Sequence, residues 1–163
     1  MKILKLLITL FLLTVVEARA IGPEDIYGTW RLVSYTWTEA ATGKKEEPLG
    51  AKPSGVLGYS RDGRVYAVIV GETRPKPADL AKVTDQERVD LFKTMVAYAG
   101  TFTFDGKVAV HHVDISWNGT RTGTDLIRNL TLEGRRLAIT SNIQPNQNDG
   151  RPGVVSLIWE RIP

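Results

Sequence analysis

Apolar and polar positions alternate with a period of two over most of the chain from residue 30 onward. That period sends successive side chains to opposite faces of an extended strand. Strands are expected over 30–39, 55–60, 64–70, 101–105, 107–117, 125–133, 135–142 and 154–162. These segments are rich in β-branched and aromatic residues, which suit a pleated, half-buried surface. Turn residues separate them. Arg61-Asp62-Gly63 is the clearest hairpin signal, because Asp-Gly supplies the positive φ of a tight turn. Gly106 and Gly134 mark two further hairpins, and prolines mark loops at 48–54, 71–78 and 144–153.

The period changes once. Thr84 with Glu87 three residues on forms a capping box. Val89, Leu91, Phe92, Met95, Val96 and Tyr98 then supply one apolar helical face, and Gly100 stands where such a helix would end. The expectation is an all-β domain of eight antiparallel strands, with one α-helix between the third and fourth strands lying across an open end. Strands joined mostly by tight turns favour a meander, and eight close into a barrel with a ligand-sized interior. A β-sandwich is the competing arrangement. Closure of a barrel brings its first and last strands together, so Trp30 and Arg161 can stack, guanidinium on indole. The other use of Trp30 is as a platform for a ligand.

Composition changes the picture mainly at the N-terminus. Lys2 and Lys5 precede an apolar run from Leu6 to Val16, too short to span a bilayer comfortably. Ala18-Arg19-Ala20 matches a small-residue cleavage site, so residues 1–20 read as a signal peptide and 21–163 as one domain. An uncleaved anchor is the other reading. Export implies a secreted or periplasmic protein, a monomer with no stable membrane span after cleavage. The sequence pI near 9.2 overstates the basic character. Without Lys2, Lys5, Arg19 and Glu17, the 21 basic and 18 acidic side chains become 18 and 17. No basic cluster stands out, so nucleic acid is not an expected partner. There is no cysteine, hence no disulfide framework, lipoprotein anchor or thiol nucleophile.

Alternation also maps the interior. In 107–117, His111 shares a face with Ala109, Val113, Ile115 and Trp117, and His112 shares the other with Val110 and Asp114. The first face is more apolar and is assigned inward. In 125–133, Arg128 is in phase with Leu126, Leu130 and Leu132. A guanidinium on an apolar face needs a partner or a water-filled cavity. Arg128 and His111, with Val113, Trp117 and the hydroxyls of Tyr59 and Tyr66, are the candidate ligand contacts. Leu32, Leu57, Ile115, Leu130 and Leu157 are the expected apolar lining. Trp37 and Trp117, near strand ends, are placed at the cavity mouth. Arg128 suits an anionic or enolate-like oxygen, and His111 can move a proton near neutral pH. The plainer alternative pairs Arg128 with a buried carboxylate and makes His111 hydrogen-bonded core.

Other chemistries find little support. The two histidines are adjacent on a strand, point to opposite faces and cannot share a metal ion, so no metal is expected. No Gly-x-Ser-x-Gly or phosphate-loop motif occurs, and no cofactor is implied. Asp105 and Asp114 make a poor glycosidase pair from turn and outward positions. Asn118-Gly119-Thr120 and Asn129-Leu130-Thr131 match the glycosylation acceptor, Asn118 being the better placed.

Several segments, in order, carry a family resemblance. They are Gly-Thr-Trp-Arg-Leu-Val-Ser-Tyr (28–35), Gly-Val-Leu-Gly-Tyr-Ser-Arg-Asp-Gly-Arg (55–64) and Tyr-Ala-Gly-Thr-Phe (98–102). Val-His-His-Val-Asp-Ile-Ser (110–116), Arg128 and Trp-Glu-Arg (159–161) complete the set. The chain resembles the lipocalin-like domain family of the calycin superfamily. The resemblance implies an eight-stranded barrel with a central cavity, but no single activity. The leading expectation is an exported protein that binds a small, mostly apolar molecule with an acidic or carbonyl group. The alternative is an isomerase or cyclase acting on a natural-product intermediate, with His111 as acid or base and Arg128 stabilising oxyanion charge. A third is an interaction protein with a filled core, with no cavity larger than a few waters.

Overall fold

A computed structural model of the chain describes residues 21–163. The expected leader at 1–20 lies outside the described residues. A short helix, α1 (Pro23–Ile26), precedes β1 (Gly28–Glu39), β2 (Lys45–Glu46), β3 (Ser54–Tyr59) and β4 (Arg64–Val70). Helix α2 (Asp85–Lys93) follows, then β5 (Met95–Phe104), β6 (Val108–Ser116), β7 (Asp125–Glu133), β8 (Arg136–Ser141), β9 (Gln144–Pro145) and β10 (Pro152–Arg161). Neighbouring strands pair antiparallel, and β1 also pairs with β10. Eight long strands therefore form a closed antiparallel barrel, with β2 and β9 as short additions. With β2 counted, α2 follows the fourth strand rather than the third.

Closure rests on the two chain ends. The Arg161 guanidinium lies over the Trp30 ring, 4.2 Å from its centroid. It donates to the carbonyls of Tyr27, at 2.6 Å, and Asp25. The Trp30 indole N–H donates to the Ile26 carbonyl at 2.9 Å. Helix α1 and its C-cap residue Tyr27 thus supply the carbonyls that hold both partners. Trp30, Leu32, Tyr59, Val65 and Leu137 are all buried nearby.

Helix α2 is shorter than the apolar pattern implies. Its start is as expected: Glu87 N–H donates to the Thr84 hydroxyl, and Thr84 N–H to the Glu87 carboxylate. It ends at Lys93, where the Thr94 hydroxyl donates to the Asp90 carbonyl. Met95, Val96 and Tyr98 pair instead with Val70, Ile69 and Ala67 of β4. Ladder bonding along β5 outcompetes the last helical turn, because it satisfies the backbone and points Val96 and Tyr98 into the barrel. Gly100 consequently ends no helix. A Cβ there would sit 1.9 Å from the His112 carbonyl oxygen, so glycine permits close approach of β6.

Two bulges control which residues face inward. In β1, Leu32 pairs with Trp159 and Ser34 with Ile158, leaving Val33 extra. In β6, Val113 pairs with Gly100 and Ile115 with Ala99, leaving Asp114 extra. An extra residue exchanges the faces of everything beyond it.

Candidate functional site

Inside the barrel, a cavity of about 40 Å³ lies among Leu57, Ile69, Val96, Ile139, Leu157 and Trp159. That is room for about three waters, at roughly 10–15 Å³ each. Its polar wall is formed by Arg128, His111, Tyr35, Tyr98, Arg121, Gln144 and Gln147. Arg121, Leu126, Gln144 and Gln147 also line an outer groove of about 670 Å³. These four residues form a neck between the two spaces. The β9 segment that carries the glutamines is tethered by Arg151, which pairs with Glu39, Glu46 and Asp149 at 3.0, 3.0 and 2.8 Å.

Arg128 projects inward from β7 in phase with Leu126 and Leu130, and all three are buried. Its Nη1 donates to the Ile127 carbonyl at 3.1 Å and the Gln144 Oε1 at 3.4 Å. Among the described residues no carboxylate forms an ion pair with it or with Arg121. Arg121 reaches the same wall from the turn after β6. Burial, then the charge of Arg128, pushes its guanidinium below its ordinary value. Two like charges on one wall repel each other, and an anionic group beside them would offset that repulsion.

His111 is 1% exposed and faces inward, while His112 faces outward toward Asp125 at 2.7 Å. Both nitrogens of His111 are engaged: Nε2 with the Tyr59 hydroxyl and Nδ1 with the Tyr98 hydroxyl, each at 2.8 Å. Burial, reinforced by Arg128 and then His112, holds the imidazole well below its ordinary pKa, so it is neutral. Burial pushes the Tyr59 phenol well above its own. His111 therefore offers the cavity no free nitrogen, and any proton it moves passes through a tyrosine.

Several expected contacts fall elsewhere. Tyr66 is 40% exposed on the outer face, where its ring covers Gly58. Tyr59 is inward but lies behind His111, with its ring edge-on to Phe102 at 4.8 Å. Val113 is buried opposite Gly100 and does not line the 40 Å³ cavity. Ile115 is 64% exposed, because the bulge at Asp114 turns it outward. Trp117, just beyond β6, packs against Phe92 of α2 and donates to its carbonyl at 3.2 Å. Trp37 is buried and lines a separate small pocket with Tyr35, Leu49 and Gln147.

The cavity residues that the strand pattern did not single out include the polar Tyr35, Tyr98, Arg121, Gln144 and Gln147, and the apolar Ala67, Ile69, Val96, Ile139, Val155 and Trp159. Alternation from Val96 to Gly100 was a usable sign for Tyr98. Arg121 and the glutamines sit in turns and a two-residue strand, where no periodicity marks a direction.

The family described as Lipocalin-like domain matches residues 27–162. No curated protein matches the chain.

Proposed function

The chain belongs to the lipocalin-like domain family, and on that premise we propose that it is an exported, monomeric protein holding a small, mostly apolar molecule through an acidic or carbonyl group. The observation that carries this reading is Arg128, a buried guanidinium without a carboxylate on the wall of an apolar cavity. An unpaired buried charge costs several kcal/mol, and an anionic group beside it offsets that cost. Arg121 adds a second cation at the neck, so the charged end of the ligand sits there. The inner space is small, so the body of the ligand occupies the outer groove or displaces the neck glutamines. Export rests on the composition of residues 1–20.

The test compares two fluorescent probes that differ by one sulfonate: 8-anilinonaphthalene-1-sulfonate and N-phenyl-1-naphthylamine. The sulfonate should bind more tightly. Arg128→Leu should weaken it by roughly tenfold, about one charge-assisted hydrogen bond, and leave the neutral probe unchanged. Equal loss of both probes would make Arg128 structural. Failure of both probes to bind the wild-type protein would leave a filled barrel that acts by surface contacts.

A second reading is favoured by the hydrogen-bonded chain Tyr59–His111–Tyr98 beside Arg128. In an isomerase or cyclase, Tyr98 would exchange a proton with a bound intermediate while Arg128 stabilised oxyanion charge. Turnover that His111→Gln abolishes, with probe affinity retained, would support it.

A further inference from the structure

The Tyr59–His111–Tyr98 chain has a direction, and that direction determines what Tyr98 presents to the cavity. A neutral imidazole has one N–H and one lone pair. One tyrosine must therefore donate to the ring and the other accept from it. Tyr59 is 2% exposed, and His111 is its only hydrogen-bond partner among the described residues. If Tyr59 accepted from Nε2–H, its own proton would be orphaned beside the Phe102 ring. A buried donor without an acceptor is the costlier and rarer defect. Tyr59 therefore donates to Nε2. The imidazole proton resides on Nδ1 and goes to the Tyr98 oxygen. The Tyr98 proton is then left unused by His111, on a side chain that lines the cavity.

We infer that Tyr59 and His111 fix the Tyr98 hydroxyl as a donor into the cavity, so that the site takes its ligand by an acceptor oxygen, a carbonyl or carboxylate. A second observation points the same way. Trp159 lines the cavity, is 1% exposed, and its indole N–H has no partner among the described residues. The Gln144 oxygen, which would otherwise accept from a ligand, is engaged by Arg128. Tyr98, Trp159 and Arg128 are thus donor-bearing side chains of one cavity lining. Tyr98 is the contacting group, and His111 and Tyr59 are positioning residues.

This inference rests on the proposed binding site, and its tests separate the two. Nitrogen NMR of the ligand-free protein reads the tautomer directly, with His112→Asn distinguishing the two histidines. The proton should be on Nδ1 of His111, and a proton on Nε2 overturns the relay alone. In Tyr59→Phe the Nε2 resonance should move toward its unbonded position, and an unmoved resonance overturns the role of Tyr59. The ligand arm uses 2-acetylnaphthalene and 2-ethylnaphthalene, which differ by the carbonyl oxygen. Tyr98→Phe should weaken the ketone by roughly three- to tenfold and spare the hydrocarbon. Equal weakening overturns the donor assignment. Absence of binding by either probe to the wild-type protein overturns the site reading itself.

Discussion

Arg161 lies with its guanidinium carbon 4.2 Å from the centre of the Trp30 ring, joining the last strand of the barrel to the first. The same guanidinium is hydrogen-bonded to two carbonyls of the segment entering β1. Arg161→Ala removes the stack and orphans those carbonyls. A loss of about 2–4 kcal/mol is expected, from a cation–π contact of about 0.5–2 and charged hydrogen bonds of about 1.5–3 each, only partly additive. Arg161→Lys should recover little, since an ammonium lacks the planar fork. Urea unfolding measures both. A loss below about 0.5 kcal/mol for the alanine variant would show that closure does not depend on this pair.

Arg128 should behave in the opposite sense. Its charge is buried without a carboxylate partner, so Arg128→Leu is expected to leave stability unchanged or raise it by about 1–2 kcal/mol. Thermal unfolding without ligand gives the comparison. A clear drop would mean that its bonds to Ile127 and Gln144 matter to the fold.

Acid should weaken the protein through His111. In the unfolded chain this histidine takes up a proton near its ordinary value of 6.5, whereas in the barrel it resists until the pH is much lower. Below pH 6.5 the unfolded state therefore binds more protons, and stability falls as the pH drops. The slope from this one group approaches about 1.4 kcal/mol per pH unit. Between about pH 6.5 and 5 most carboxylates are still ionised, so His111→Gln should flatten the unfolding free energy there. An unchanged slope in that variant would assign the acid sensitivity to another group.

Gly100→Ala tests the approach of β5 to β6. The added methyl would meet the His112 carbonyl oxygen at 1.9 Å, and backbone cannot rotate away as a side chain can. A destabilisation of about 2–3 kcal/mol or more is expected from chemical denaturation. Little change would show that the bulge at Asp114 can relax.

Ile115 and Val113 should respond differently although both are apolar and two residues apart. Val113→Ala should cost about 1–2 kcal/mol, as buried methyl groups do. Ile115→Thr, on the outer face, should stay within about 0.5 kcal/mol. Similar losses at both positions would contradict the exchange of faces at Asp114.

Much of this fold was legible in the sequence because it rests on local chemistry or regular repetition. The alternation of strands, the Asp62-Gly63 turn and the Thr84–Glu87 cap each depend on residues close in the chain. Closure by Trp30 and Arg161 was legible because a barrel forces its ends together. The inward directions of His111 and Arg128 followed from the period of two on strands uninterrupted at those points.

Only the tertiary structure decided the rest. Val96 and Tyr98 carry a pattern that suits a helix as well as a strand, and pairing with β4 chose the strand. Tyr35 faces the cavity and Ile115 faces solvent because bulges at Val33 and Asp114 exchange the faces beyond them. A bulge is defined by which residue of a distant strand lies opposite, so its own segment gives no sign of it. Arg121, Gln144 and Gln147 come together from separate connections, where no repeat sets a direction. The sequence by itself determined most of the long strands, the hairpin turns and the way the barrel closes. The packing of strands distant in the chain decided which side chains share the cavity, because that depends on register between segments that the chain does not place side by side.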